Sequence, residues 1–411
     1  MINIQKENCI EILKKDGPPI IVVAAVQETE AIINACSENG IKVEGVCDSF
    51  KEKTIDLFFG LNTFHTPELP KYFKDARFII ASQHVQECAD QLTGLGYKSF
   101  FSPLSLIENY DVNKHKHSVS SLYMKNRLDV CKKSHELYFD KSKTYMRSLD
   151  VMITTRCSLK CRNCSNLMQY YKNPENTDGN EIIKALDIIH KNVDFISEYR
   201  VIGGEPLMNR DWASIVNNLS KKNENTKIFI YTNGTIAPKE EQLKMFEGKN
   251  VNFIITDYGD LSRNIDVMVE RLNKFKIGFS RDPAEYWIDC SNIKHHKRQT
   301  KDLVEVFKQC CVKYVYTLLN GRLYRCPFIA NAANLKAIPD NPSNYVDIFG
   351  NGENLKNEIK RLIKVAKFFP GCDFCDGRPY DPSNSLGYDG RGMIAPGEQV
   401  KKPMSYKTYN D

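Results

Sequence analysis

The sequence predicts an α/β chain built from two successive parallel-sheet units and a cysteine-rich region. Three observations carry that reading. Short β-rich runs alternate with amphipathic stretches from about residue 19 to 110. A longer strand–helix series starts at residue 149. After residue 302 the regularity gives way to Cys, Gly and Pro punctuation. At 411 residues there is material for two or three domains, each able to bury a core. The boundaries implied are an α/β domain at 1–110, a helical connector at 111–148, the second series at 149–300, a cysteine-rich domain at 301–392 and an irregular tail at 393–411.

In the first unit, residues 20–25, 41–47 and 78–81 read as strands and 28–40 and 85–96 as helices. The unit resembles the Rossmann-like domain found beside sugar-modifying enzymes of surface-glycan pathways, with Asp48 closing a strand. A dinucleotide site needs glycines after its first strand, and that turn here reads Val23-Ala24-Ala25-Val26-Gln27-Glu28. Glu28 also opens the helix where phosphate would lie. Docking or scaffolding suits this domain at least as well as nucleotide binding. Residues 111–148 are rich in Lys, His, Ser and Tyr, and Leu122, Leu128, Val130 and Leu137 give them a helical apolar spacing.

Composition narrows the function. Hydrophobic residues at 42% and charged residues at 26% describe a globular protein, and no apolar run approaches the ~20 residues of a membrane span. The first residues lack the pattern of a secretory signal, so the expected location is the cytoplasm. A net charge of +6 is small for this length and leaves no dedicated nucleic-acid surface. The one basic stretch, His295-His296-Lys297-Arg298, could meet a phosphate or be a solvated loop. Fourteen cysteines in a reducing compartment point to metal or redox chemistry rather than to disulfides. Cys9, Cys36, Cys47, Cys88 and Cys131 are scattered singly and read as small buried hydrophobes.

The second series runs strand 149–154, helix 180–190, strand 199–202, helix 211–219, strand 227–231, helix 239–246, strand 251–256 and helix 265–274. Repeated strand–helix units imply parallel strands closing fully or partly into a barrel. Directly after its first strand comes Cys157-Ser158-Leu159-Lys160-Cys161-Arg162-Asn163-Cys164. Three thiolates on one loop can bind three irons of a cubane and leave the fourth without a protein ligand. Zinc would require a fourth ligand from elsewhere.

This C-x3-C-x2-C loop resembles that of the radical S-adenosylmethionine (SAM) superfamily over about 149–290. The resemblance implies a partial (β/α)6 barrel and a SAM-binding [4Fe-4S] cluster on Cys157, Cys161 and Cys164. Gly203-Gly204-Glu205-Pro206 matches the family's GGEP segment, which receives the SAM amino group; its glycines admit a ligand to the backbone and Glu205 offers charge to an ammonium. Thr232, Asn233, Thr256 and Asp257 end later strands, where the family contacts SAM or substrate. The implied chemistry is one-electron cleavage of SAM to a 5′-deoxyadenosyl radical that takes hydrogen from a substrate, with flavodoxin or ferredoxin as electron donor.

Downstream lie Cys310-Cys311, Cys326 and Cys372-x2-Cys375. One thiolate of the adjacent pair with the other three makes a four-ligand set, for an auxiliary [4Fe-4S] cluster or for zinc. Neighbouring residues of an extended chain face opposite ways, so one of Cys310 and Cys311 is expected to bind. The layout is similar to the Twitch form of the SPASM extension. That resemblance implies oxidation or epimerisation of a sugar, nucleotide-sugar or cyclitol in glycan or natural-product biosynthesis. The alternatives are a ribosomal-peptide maturase and a non-catalytic metal-binding scaffold of a glycan-assembly complex. Cys290, in Trp287-Ile288-Asp289-Cys290 near the expected end of the last barrel strand, is either a hydrogen donor to a substrate radical or a buried structural thiol.

Overall fold

The structure is a computed structural model that describes residues 4–409 except 50–53, 55, 120, 141, 223–225, 351, 380–387, 395 and 396. It divides into two units, Met1–Lys143 and Thr144–Asp411.

The first unit runs β1 (Ile4–Gln5), α1 (Cys9–Lys14), β2 (Ile20–Val23), α2 (Gln27–Glu38), β3 (Gly45–Asp48), β4 (Asn62–His65), β5 (Arg77–Ile80), α3 (Val85–Gly94), β6 (Ser99–Phe101), α4 (Leu104–Ile107) and α5 (Ser121–Phe139). Its strands pair in parallel in the order β1-β6-β5-β2-β3-β4. A parallel sheet covered on both faces needs apolar side chains at every position, and all four residues of β2 are buried. Val22 and Ile79 join the core on one face; Ile21, Val23, Phe78 and Ile80 join the core on the other.

The turn after β2 explains how this sheet manages without the glycine fingerprint. Ala24 takes a φ of 81°, a conformation glycine adopts more readily. The Asp48 carboxylate accepts the Ala25 N–H at 2.8 Å and so holds the turn. Glu28 is buried and pairs through both oxygens with Arg127 of α5, at 2.6 and 2.8 Å. The helix terminus where a pyrophosphate would bind thus already carries a paired carboxylate. Helix α5 packs on α2, α3 and α4, with Met124, Leu128 and Cys131 in the core. The stretch expected as a connector therefore contributes its main helix to the first unit; residues 120 and 141 and the Leu122 side chain lie outside the described residues.

The second unit runs β7 (Tyr145–Thr154), α6 (Gly179–Asn192), β8 (Phe195–Gly203), α7 (Trp212–Lys222), β9 (Lys227–Thr232), α8 (Glu240–Leu243), β10 (Val251–Asp257), α9 (Ile265–Lys274), β11 (Gly278–Pro283), β12 (Trp287–Ile288), α10 (Thr300–Gln309), β13 (Val315–Leu319), β14 (Arg322–Tyr324), α11 (Pro327–Asn334), β15 (Tyr345–Asp347), α12 (Leu355–Lys360) and β16 (Met393–Ile394). The large sheet has the order β11-β10-β9-β8-β7-β13-β14-β15. Strands β7 to β11 pair in parallel in sequence order, as the strand–helix repeat requires. The next parallel strand is β13, which returns beside β7 and leads into the antiparallel strands β14 and β15. The parallel core is thus not six consecutive strand–helix units: five are consecutive, and the sixth strand comes from the region after residue 301. Strand β12 stands apart and pairs with β16. Among the described residues no helix is long and apolar enough to cross a membrane.

Candidate functional site

The site is assembled at the C-terminal ends of β7, β8 and β9. The register of β7 against β8 shifts between Met152 and Thr154, an irregularity of the kind that re-aims a strand end. Beyond it, the cysteine loop is fastened to the turn after β8. The Thr154 carbonyl accepts the Gly204 N–H at 3.0 Å, and the Arg156 carbonyl accepts the Glu205 N–H at 2.8 Å. This contact fixes the two glycines. A Cβ on Gly204 would lie 2.6 Å from the Cys157 Cβ and closer still to the Arg156 carbonyl oxygen. One on Gly203 would lie 2.7 Å from the Thr154 Cγ2. The side that a Cβ would occupy faces the cysteine loop, so the glycines serve loop packing rather than approach to a ligand.

Burial raises the thiols of Cys157, Cys161 and Cys164, Cys164 to about 11. Hydrogen-bond donors counter that rise: the Leu159 N–H at Cys157, the Met168 and Asn166 N–H groups at Cys164, and the Gln399 amide 3.2 Å from the Cys161 sulfur. Donors aimed at sulfur favour the thiolate, the form that binds metal.

Glu205 is buried and accepts three hydrogen bonds: from the Leu207 N–H at 3.1 Å, the Thr232 hydroxyl at 2.9 Å and the Asn233 N–H at 2.8 Å. Desolvation nonetheless pushes its carboxyl up to about 7. Pro206 opens a short 3-10 turn that delivers Leu207 to this carboxylate. Asn233 donates to the Ser158 hydroxyl at 3.1 Å, inside the cysteine loop, and lies 3.7 Å from the Cys157 sulfur. Three of the residues singled out by sequence, Glu205, Thr232 and Asn233, are thereby joined in one network with Cys157. Thr256 and Asp257 are not part of it. Asp257 is taken up by Arg281 of β11 at 2.8 Å and by the Gly259 N–H. The next residue, Tyr258, is raised first by burial and then by the charges of Cys161, Cys164, Cys157 and Glu205. It was not singled out by sequence, and only its place beside Asp257 could have suggested it.

The second set of cysteines gathers around a cavity of about 30 Å³ lined by Cys310, Cys326, Cys372 and Cys375 with Phe307, Phe328, Phe369 and Arg325. Cys311 is outside that lining, though it neighbours Cys310, Cys290 and Arg378 closely enough to act on all three. Burial pushes Cys326 and Cys372 up to about 12. Cys326 caps α11, its sulfur accepting the Ile329 N–H at 3.4 Å, and Cys375 accepts the Gly377 N–H at 3.4 Å. The basic stretch is neither free for a phosphate nor simply solvated. Lys294 pairs with Asp389 at 2.8 Å, His295 with Asp373 at 3.0 Å, and Arg298 donates to the Cys372 and Cys375 carbonyls at 3.2 and 2.9 Å.

Between the two cysteine sets lies a cavity of about 160 Å³. Gly203, Gly204, Ser165 and Asn166 line it on the side of the first loop, Arg200 and Tyr231 from β8 and β9, and Val312 and Arg378 on the side of the second set. Val312 and Arg378 also line the four-cysteine cavity. Arg200 is held 2.8 Å from buried Asp150 and stacks 5.0 Å from the Tyr231 ring centre. Cys290 lines neither cavity. The strand before it, β12, is outside the main sheet, so Cys290 does not follow a barrel strand; it is buried beside Arg378, Cys311 and Asp289, and burial pushes it up to about 11.

Residues 151–277 match the Radical SAM superfamily. Domains of this kind bind SAM and a [4Fe-4S] cluster. The chain is similar to a probable GTP 3′,8-cyclase of Methanococcus aeolicus, 29% identical over 103 residues that cover 24% of this chain and 32% of that protein. It is also similar to the GTP 3′,8-cyclase of Clostridium acetobutylicum, 28% identical over 143 residues covering 31% and 43%. The matched segments span less than half the length of these curated relatives. Among solved structures, BtrN in complex with AdoMet and 2-DOIA is 16% identical, with a TM-score of 0.37 over 57% of this chain and 94% of that one.

Proposed function

We propose that the chain is a radical SAM enzyme that oxidises a hydroxylated substrate, a sugar, nucleotide-sugar or cyclitol, with two [4Fe-4S] clusters. Cys157, Cys161 and Cys164 hold the SAM-binding cluster; Cys310, Cys326, Cys372 and Cys375 hold the auxiliary one. The observation that carries this reading is the cavity between the two cysteine sets, which shares Val312 and Arg378 with the pocket of the second set. A substrate there would touch the SAM-binding turn on one side and approach the auxiliary cluster on the other.

The sulfur spacing supports cubanes over zinc. With Zn–S bonds of about 2.3 Å, tetrahedral geometry puts zinc-bound sulfurs about 3.8 Å apart. Among the described residues, the group of three or more possible ligands whose atoms all lie within 4.8 Å of one another is His296, Asp376 and Asp389, and it contains no cysteine. Both thiol sets are wider than a zinc site.

When bound, the SAM cluster supplies the electron that splits SAM into methionine and a carbon radical able to remove hydrogen from an unreactive C–H bond. The chain's own residues bind, orient and shield. Glu205 would offer its buried carboxylate to the SAM ammonium, and Thr232 and Asn233 fix that carboxylate from the end of β9. Arg200, Tyr231, Asn166 and Arg378 offer hydrogen-bonding groups and positive charge to a polar, hydroxyl-bearing molecule. When bound, the auxiliary cluster would accept one electron, so that an alcohol carbon that had given a hydrogen atom to the 5′-deoxyadenosyl radical and its O–H proton to solvent would be left as a carbonyl. Oxidation is favoured over epimerisation because the Cys290 thiol does not line the cavity.

Anaerobically reconstituted protein with SAM and dithionite should release 5′-deoxyadenosine, and the Cys157→Ala, Cys161→Ala, Cys164→Ala triple variant should not. Substrate screening should then yield a product two hydrogens lighter. A cluster that leaves SAM intact under reduction would overturn the assignment.

A further inference from the structure

The C-terminal segment, which sequence pattern leaves as an irregular tail, is bound along its length to the cysteine loop and the elements beside it. The Arg162 N–H donates to the Glu398 carbonyl at 2.7 Å, and the Val400 N–H donates to the Lys160 carbonyl at 2.9 Å. These bonds set Gln399 opposite Cys161 in an antiparallel bridge. The side chains repeat the pairing. The Gln399 carbonyl oxygen accepts the Lys160 N–H at 2.5 Å, its amide nitrogen lies 3.2 Å from the Cys161 sulfur, and Arg162 pairs with Glu398 at 2.8 Å. Further along, the Met404 N–H reaches the Gln169 carbonyl, the Tyr406 ring stands edge-on to Tyr170 at 5.7 Å, and the Tyr409 N–H reaches the Lys336 carbonyl at 2.8 Å. Cys161 is the buried member of its trio, 7% exposed, and this segment is what lies against it.

We propose that residues 397–409 are a strap that completes the first cluster site, and that Gln399 is a positioning residue for the ligand Cys161. The inference rests on the cluster assignment above and extends it to a residue 238 positions away. Gln399 is fixed by its own bonds: the amide donates to the Gly397 carbonyl at 2.7 Å as well as to sulfur. An N–H donor on a ligand sulfur stabilises the more negative, reduced cluster and so raises its potential. The backbone pairing on either side keeps Cys161 shielded from water.

Two variants of the full chain separate the parts of the claim. In the iron-loaded protein, Gln399→Leu removes the donor and leaves the strap's backbone bonds. At a fixed solution potential the ratio of reduced to oxidised SAM cluster, read by electron paramagnetic resonance, should fall several-fold at unchanged iron content; a tenfold fall corresponds to 59 mV for one electron. An unchanged ratio would remove Gln399 from the site. In the metal-free full chain, Val400→Pro deletes the Val400 N–H and its bond to Lys160. Iodoacetamide labelling of Cys161, followed by peptide mass spectrometry, should accelerate at least tenfold while labelling of the scattered Cys36 stays slow. Equal labelling of Cys161 in wild type and variant would refute the strap. Because labelling needs no iron, a wild-type chain that assembles no cluster would count against the assignment of the preceding section and leave the strap to be decided by this measurement.

Discussion

Replacing Gly204 by alanine tests the central geometric claim, that the turn after β8 and the cysteine loop are one packed unit. The added methyl would meet the Cys157 Cβ at 2.6 Å and the Arg156 carbonyl more closely, and backbone cannot rotate aside as a long side chain can. Overpacking against a fixed surface costs about 1–3 kcal/mol. Parting the loops to relieve it would also stretch the Gly204 N–H bond to Thr154 and the Glu205 N–H bond to Arg156, each worth about 1 kcal/mol. The expected loss is about 3 kcal/mol where the loops stay together. Where they part, the loss is smaller and the cysteines are displaced. Urea unfolding of the metal-free chain reads the first outcome, and iron content after reconstitution reads the second. A Gly204→Ala protein within about 0.5 kcal/mol of wild type and with full iron content would refute the packing argument, and the glycines would then have to be explained by ligand approach.

Three further outcomes follow from the same structure. Cys310→Ala should lower reconstituted iron from about eight to about four per chain, whereas Cys311→Ala should leave it unchanged, because Cys310 alone of the pair lines the four-cysteine cavity. Arg127→Ala should destabilise the first unit by about 3–5 kcal/mol in chemical denaturation, since it leaves the buried Glu28 carboxylate uncompensated. Glu205 sets a pH dependence. Its carboxyl is raised from an ordinary 4.5 to about 7, so between those values the folded chain binds more protons than the unfolded one. The associated stability is complete below pH 4.5 and is lost as pH rises through 7, by about 3 kcal/mol in all. Glu205→Gln should flatten that slope in metal-free protein followed from pH 5 to 8, and an equal slope in both proteins would show that Glu205 does not titrate there.

Which features could be read from sequence depends on how local their causes are. The cysteine loop and the GGEP turn were legible because each is a contiguous run, and the strand–helix repeat between them set their spatial order. The alternation of an extended chain led to the expectation that one of Cys310 and Cys311 would bind, and Cys310 is the one of the pair that lines the four-cysteine cavity. Strand β13 was not legible. Val315 to Leu319 is buried at every position, yet its parallel partner β7 lies about 165 residues earlier, and nothing in five buried residues names a partner that distant. The placement of Cys290 near the end of a barrel strand was not legible for a related reason: Trp287 and Ile288 have the β character of a barrel strand, but they pair with Met393 and Ile394 instead. In the first unit, missing glycines were rightly noticed, though the replacement, Ala24 at positive φ with its turn held by Asp48, required coordinates.

The tail is the sharpest case. Residues 397–409 are polar or half-buried, have no periodicity, and pair with the cysteine loop through two backbone bonds, which every residue but proline could make, and through the isolated side chains of Glu398 and Gln399. A segment that binds in this way leaves no composition signature even where it touches the cysteine loop. Sequence reasoning located the cysteine loop because its spacing is specific, and it missed the cover because two backbone bonds and two isolated side chains carry no such pattern. The same asymmetry bears on the cavity between the cysteine sets. Arg200, Tyr231 and Arg378 come from two strands and a loop far apart in the chain, and each taken singly is an ordinary residue. Their convergence beside the Gly203–Gly204 turn is the feature that a substrate would recognise, and it exists only once β7, β8 and β9 have aligned in register.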